Sequence, residues 1–337
     1  MYQEITRCRI SGSTNLVNVL SLGEQYLTGV FPASREQAVT KGPVDMVWCP
    51  ESGLVQMKQS YSLDEMYGDN YGYRSGLNQS MVNHLSNKVA MLLRKVPTKP
   101  GDIILDIGSN DATSLKCYPK ELRRIGIDPT GKKFKEYYTD DISLVPDFFT
   151  AANFKKIFPD DKATIVTSIA MFYDLEDPVQ FAADIEAVLA DNGVWHFEQS
   201  YLPSMLRTNS YDTICQEHLE YYSLISVKYI LEKAGLRILD IEQNDINGGS
   251  FAVTAAKKGS TLPSSDAVIN WMLEEEIRMG LNTEKPYREF AERVEAHKTS
   301  LLDLLDRLKN DGKKIIGYGA STKGNVLLQY CGIDTRY

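Results

Sequence analysis

The chain has 337 residues, 43% of them hydrophobic and 24% charged, with a formal net charge of -8 and an isoelectric point near 5.2. This is the composition of a globular protein long enough for two or three domains, and its acidic balance argues against nonspecific nucleic-acid binding. There is no apolar run of about 18 residues and no charged-then-apolar leader, so neither a membrane partner nor secretion is expected, and the cytoplasm is the expected compartment.

Five cysteines, an odd number scattered along the chain, do not suggest a disulfide framework. Two of them open matching segments, Cys8-Arg9-Ile10-Ser11-Gly12 and Cys49-Pro50-Glu51-Ser52-Gly53. Each has the outline of a zinc knuckle whose second thiolate is replaced by serine, a poor zinc ligand. Cys8 and Cys49 are therefore either ordinary cysteines of a small β-rich module or the remains of an incomplete metal site, and zinc is doubtful. Short apolar runs at Leu16–Leu22, Met46–Trp48 and Leu54–Met57, bounded by turn residues, are expected strands of that module, which is assigned residues 1–68.

The stretch from Tyr67 to Asn78 is dense in tyrosine and glycine and has no periodicity, so Tyr71, Tyr73, Arg74 and Asn78 are candidates to line a pocket. Met81, Leu85, Val89, Leu92 and Leu93 then recur at helical spacing, which predicts an amphipathic helix over 79–94. His84 on that helix is read as structural.

Gly101 to Ala112 is the segment around which the rest is organised. Ile103, Ile104, Leu105 and Ile107 have the pattern of a central parallel strand covered on both faces, and Gly108 follows Asp106 at its carboxyl end. Ligands of open α/β sheets bind beyond such strand ends. About twenty residues further on, a second short strand ends in Asp128, a carboxylate placed to accept ribose hydroxyls. The turn lacks the later glycines of a dinucleotide fingerprint, and Asp106 and Asp111 favour a cation over a phosphate. S-adenosylmethionine, with its sulfonium and amino-acid tail, suits this charge pattern. The candidate cofactor residues are Asp106, Gly108, Asn110, Asp128, Asp147 and Phe148.

Strands are expected at 142–145, 164–168, 193–198, 237–242 and 250–255, with helices at 151–158, 177–190 and 226–234. This alternation predicts a mostly parallel sheet, closed by an antiparallel hairpin around Asn247. After the fifth strand, Glu217, His218, Tyr221 and Tyr222 offer a base, an orienting carboxylate and phenolic donors for general acid/base work.

Taken together, Cys8-x-x-Ser11-Gly12, Tyr71-Gly72-Tyr73-Arg74-Ser75-Gly76-Leu77-Asn78, Leu105-Asp106-Ile107-Gly108-Ser109-Asn110-Asp111, Gln216-Glu217-His218-Leu219-Glu220-Tyr221-Tyr222-Ser223, Asn247-Gly248-Gly249-Ser250-Phe251 and Gly317-Tyr318-Gly319-Ala320-Ser321-Thr322-Lys323-Gly324 resemble the C-methyltransferases of nucleotide-linked sugars. The resemblance spans nearly the whole chain in order. It implies an N-terminal zinc module, a central S-adenosylmethionine domain with a Rossmann-like seven-stranded methyltransferase sheet over 69–260, and a C-terminal α/β domain. It also implies a nucleotide-linked 4-keto-hexose as substrate, methylated at carbon through an enolate. His218 would be the base, oriented by Glu217, with Tyr222 or Tyr71 near the enolate oxygen and Tyr73, Arg74, Asn78 and Asn247 toward the substrate. Two departures are visible: serines at 11 and 52 replace cysteines, and Ala112 replaces a glycine. A methyltransferase acting on oxygen or nitrogen, or a nucleotide-sugar binding protein without catalysis, would share much of this pattern.

Residues 261–310 are expected to form a helical connection divided near Pro286, and Lys313–Gly319 a new strand and glycine turn. One strand and one helix cannot bury a core, so 311–337 is read as the start of a further α/β domain and the chain as a fragment.

Overall fold

The computed structural model describes residues 2–34, 36–62, 66, 73–319 and 321–337. The N-terminal part consists of β1 (Tyr2–Glu4), β2 (Val17–Tyr26), β3 (Lys41–Trp48), β4 (Val55–Met57) and β5 (Gln59–Tyr61). Val44, Met46 and Trp48 alternate onto one face of β3 and pack with Val19, Leu22 and Met57, the two-residue period of a half-covered antiparallel strand.

Helix α1 (Gln79–Lys95) follows. Its buried residues Leu85, Val89 and Leu92 form the apolar stripe, and Arg94 and Lys95 suit the negative end of the helix dipole. Then come β6 (Ile103–Ile107), β7 (Arg123–Ile127), β8 (Ile142–Val145), α2 (Ala151–Ile157), β9 (Ala163–Ile169), α3 (Pro178–Val188), β10 (Leu189–Ser200), α4 (Leu202–Thr208), β11 (Glu220–Tyr221), α5 (Leu224–Lys233), β12 (Leu236–Asn244) and β13 (Ser250–Lys257). The connections after β6 and β7 contain only short 3-10 turns, at Leu115–Cys117, Pro129–Lys132 and Lys135–Tyr137.

The central sheet has seven strands in the order β12-β13-β10-β9-β6-β7-β8. Strands β6 to β10 pair in parallel, and β13 is antiparallel to both β10 and β12. All five residues of β6 are buried, as a strand covered on both faces must be. The Rossmann-like sheet with its closing hairpin is as expected from sequence.

A second sheet of four strands, β11-β4-β3-β2, belongs to the N-terminal part, but its edge strand β11 comes from beyond β10. The stretch holding the proposed acid/base residues is thereby built into the module rather than left as a free loop.

Helices α6 (Asp266–Arg278) and α7 (Lys285–Asn310) form the expected connection, with Pro286 in the first turn of α7, where a missing N–H costs nothing. The buried carboxylate of Glu276 accepts the N–H groups of Leu224 and Ile225 at 2.6 and 2.9 Å, placing an anion at the positive end of α5. Lys313–Gly319 is not a strand: no strand lies beside it among the described residues, so its backbone has no ladder to join. It leads into α8 (Thr322–Cys331). No helix among the described residues is long and apolar enough to cross a membrane.

Candidate active site

Beyond β6 the backbone turns through Gly108, Asn110 and Ala112 with φ of 70°, 49° and 59°. All three are left-handed, a region that glycine and asparagine enter more easily than alanine, which explains why a glycine would suit position 112. A Cβ on Gly108 would stand 3.2 Å from Met171 Cγ, so the turn lies close under the segment that follows β9.

Three acidic side chains gather here. Asp106 accepts the Thr167 hydroxyl at 2.5 Å, and burial, with the charge of Asp128 adding to it, pushes its carboxyl up to about 7. Asp128 Oδ2 accepts the Asn110 N–H at 2.7 Å. Its Oδ1 accepts the N–H and hydroxyl of Thr130 at 2.7 and 2.6 Å. A carboxylate has about four acceptor positions, so Asp128 fixes both turns and retains capacity for a ribose hydroxyl. Asp111 Oδ2 accepts the Gly76 N–H at 3.0 Å and lies 3.6 Å from Arg74 Nε.

Asn110 completes the clamp, its amide donating to the Tyr73 carbonyl at 3.1 Å and accepting from the Ser75 N–H at 3.0 Å. Residues 73–76 are thus held over the turn, and the Arg74 guanidinium lies 4.2 Å from the centre of the Tyr137 ring. A cavity of about 340 Å³ lies among Arg74, Asp111, Lys116 and Tyr137. At the neighbouring strand end Asp147 accepts the Phe148 N–H at 2.7 Å, and the Phe148 ring is 55% exposed, an apolar face available to a base. Converging buried carboxylates with an exposed ring beside them fit a cationic adenosyl cofactor.

The second half of the site is the segment before β11. His218 Nδ1 lies 3.0 Å from the Thr213 carbonyl. A carbonyl only accepts, so Nδ1 carries the proton and Nε2 keeps its lone pair. Burial lowers the His218 pKa below its ordinary value, against the opposing charge of Glu217, so the ring stays neutral, the form a base requires. Its face meets the Tyr173 ring edge-on at 4.5 Å.

The loop is held from both sides. Gln216 accepts the Thr28 N–H and hydroxyl at 3.3 and 3.1 Å and donates to the Tyr26 carbonyl at 3.3 Å. The Leu219 N–H donates to Tyr173 and its carbonyl accepts from Met57, both at 2.8 Å. Glu217 lies on bare backbone: a Cβ on Gly29 would stand 1.7 Å from its Oε1. Its Oε2 is buried without a hydrogen-bond partner among the described residues. Burial raises the Cys215 thiol far above its usual range, with Glu217 adding to it, which removes it as a nucleophile.

The other candidate residues take the following positions. The group that orients His218 is the Thr213 carbonyl, not Glu217, because a backbone oxygen reaches Nδ1 first. Tyr222 is a core residue: its ring stacks on Phe172 at 5.1 Å and its hydroxyl donates to the Phe172 carbonyl at 3.4 Å. Asn78 caps α1, accepting the Ser80 N–H at 3.0 Å, and Arg74 lines the cavity with its Nε 3.6 Å from Asp111. Tyr73 is 52% exposed and offers its carbonyl to Asn110. Asn247 occupies a left-handed turn at φ 55° and accepts Lys323 Nζ at 3.3 Å through its carbonyl. Tyr71 lies outside the described residues.

The sequence reading missed Thr213, Gly29 and Gln216, whose partners are set by tertiary contact and leave no local signal. It also missed Glu198 at the end of β10, which is bonded to His84 at 2.5 Å, Lys88 at 2.9 Å and Asn244 at 2.7 Å. Its carboxyl is held down to about 2 by these bonds and by the Lys88 charge, against its burial, stitching α1 to the sheet.

A seven-stranded sheet of this order, with an acidic turn after its first parallel strand, is the fold of S-adenosylmethionine-dependent methyltransferases. The chain is 31% identical over 333 residues to the C-methyltransferase NovU of Streptomyces niveus, covering 98% of this chain and 79% of that protein. It belongs to the C-methyltransferase family and is a C-methyltransferase. Family models match in three blocks: a zinc binding domain over 8–67, a methyltransferase domain over 81–241 and a C-methyltransferase C-terminal domain over 245–337. Among solved structures, a methyltransferase from Clostridium acetobutylicum is 12% identical with a TM-score of 0.41, covering 52% of this chain and 92% of that one. Magnesium protoporphyrin IX methyltransferase from Synechocystis is also 12% identical with a TM-score of 0.41, covering 54% and 88%.

Proposed function

We propose that this enzyme methylates a carbon next to the ketone of a nucleotide-linked 4-keto-hexose, through an enolate, with His218 as the base. The observation that carries the reading is the His218 imidazole, neutral and fixed through Nδ1 by Thr213, with Nε2 left to accept a proton. Sequence resemblance to sugar C-methyltransferases supports the substrate class.

The bound cofactor supplies an electrophilic methyl group on a sulfonium. Asp106, Asp111 and Asp128 would hold its positive charge and ribose at the turn, and Phe148 would offer its ring to the base. His218 Nε2 takes the proton from the ketone's α-carbon, an acidic C–H because the resulting charge spreads onto the oxygen. Burial of the loop keeps water from competing, and the fixed position of β11 against β4 sets the distance between the two halves. Incubating the enzyme with a nucleotide-linked 4-keto-hexose in heavy water tests this. Deuterium should enter at the carbon that is methylated, and a product methylated at oxygen, or methylation with no exchange at any α-carbon, would contradict it.

A further inference from the structure

Cys8–Gly12 and Cys49–Gly53 are one turn used twice. In each, the glycine N–H donates to the cysteine carbonyl at 2.9 Å, and the cysteine N–H donates to the carbonyl five residues ahead, Ser13 at 2.8 Å and Leu54 at 2.9 Å. The glycines have φ of 77° and 71°. In each, the serine hydroxyl accepts the N–H two residues on, from Ser13 at 3.2 Å and Leu54 at 3.3 Å.

The two turns face one another with their side chains crossed. Cys8 Sγ lies 3.3 Å from Ser52 Oγ, and Cys49 Sγ lies 3.4 Å from Ser11 Oγ. Both cysteines are buried, at 3% and 0% exposure, in the core shared with Ile10 and Leu54. A structural zinc needs four thiolate or imidazole ligands, so two thiols and two hydroxyls do not fit the metal that the domain family's description names. They do fit each other. Each hydroxyl already accepts an N–H of its own turn, and its proton is free for the sulfur opposite.

We propose that the N-terminal module holds its two knuckles together without metal, through these crossed serine–cysteine pairs, and that the four positions remain a latent four-thiolate site. Zinc and the serine pairs are alternative solutions to one task, joining the two turns.

The test uses the full chain. Elemental analysis after growth with added zinc should find well under about 0.2 zinc per chain, and a chelator should leave the melting temperature unchanged. Ser11→Cys combined with Ser52→Cys should take up about one cobalt per chain, with the absorption of tetrahedral thiolate ligation, and should then melt lower in chelator. Separately, Ser11→Ala and Ser52→Ala should each lower the melting temperature by a few degrees whether or not zinc is present. About one tightly held zinc in the natural protein would overturn the proposal, as would a folded double-cysteine variant that takes up no cobalt. Alanine variants that melt like the natural protein would overturn it as well, and this arm stands if the double variant fails to fold.

Discussion

The two halves of the site are built on opposite plans. At the cofactor turn most polar side chains bond across neighbouring elements: Asn110 to residues 73 and 75, Asp111 to Gly76, and Asp128 to Asn110 and Thr130, while Arg74 Nε has no hydrogen-bond partner among the described residues. In β11 and the segment before it the backbone is tied down, while buried atoms of Glu217, Glu220 and Tyr221 have no hydrogen-bond partner among the described residues, Glu220 lying 3.6 Å from Arg9 Nε as an ion pair. Unpartnered buried groups cost stability, so a folded chain keeps them where they serve something else. The cofactor turn belongs to the central sheet; the proposed base lies in the segment that leads into β11, the edge strand added to the sheet of the N-terminal module.

The sharpest way to break this contrast is at Gly29, in the module. Gly29→Ala would place a methyl 1.7 Å from the present position of Glu217 Oε1, driving the end of the Glu217 side chain out of its seat beside His218. Turnover should fall by about 10²-fold, the cost of a misplacement on the order of 1 Å, while calorimetry finds unchanged cofactor affinity. Equal losses in both would mean that the halves are not independent.

The converse change is Asp128→Ala, which should weaken cofactor binding by about 1 to 3 kcal/mol in the same calorimetric experiment. The thermal midpoint should also fall, since Asn110 and Thr130 lose their acceptor. Undiminished affinity would remove Asp128 from the ribose.

A smaller effect sharpens the picture through pH. Asp106 is raised from 3.8 to about 7 in the folded protein, so between those values the folded state holds a proton that the unfolded chain has lost. Its contribution to stability therefore falls as pH rises from about 4 through 7. Asp106→Asn should melt higher than the natural protein at pH 8 and little differently at pH 4. It should also bind cofactor more weakly, and in the natural protein affinity for the cation should grow between pH 6 and 8. Opposite pH trends in calorimetry would show that Asp106 does not face the positive charge.

What was legible in the sequence and what was not divides along the same line. The apolar run of β6, the helical stripe of Leu85, Val89 and Leu92, and the hairpin flanking Asn247 are signals carried by neighbours in the chain, and the structure has them where expected. The Asn78 cap was equally local, but the aromatic residues around it drew the reading toward a pocket. The pairing of Glu220 with Gln56, the burial of Tyr222 under Phe172 and the seat of Glu217 on Gly29 are contacts between distant segments, invisible to periodicity. Glu217 beside His218 in sequence invited the inference of an orienting pair; the backbone turn at Thr213 sends the imidazole elsewhere.

The central claim is that His218, oriented by Thr213 in the segment that leads into β11, removes the proton. The direct measurement is deuterium exchange into the ketone substrate by His218→Ala, with cofactor affinity followed in parallel. Exchange should fall by about 10² to 10⁴, the usual contribution of a positioned base, with cofactor binding unchanged. Exchange at the natural rate in a variant that no longer methylates would contradict the assignment and move the base to another residue.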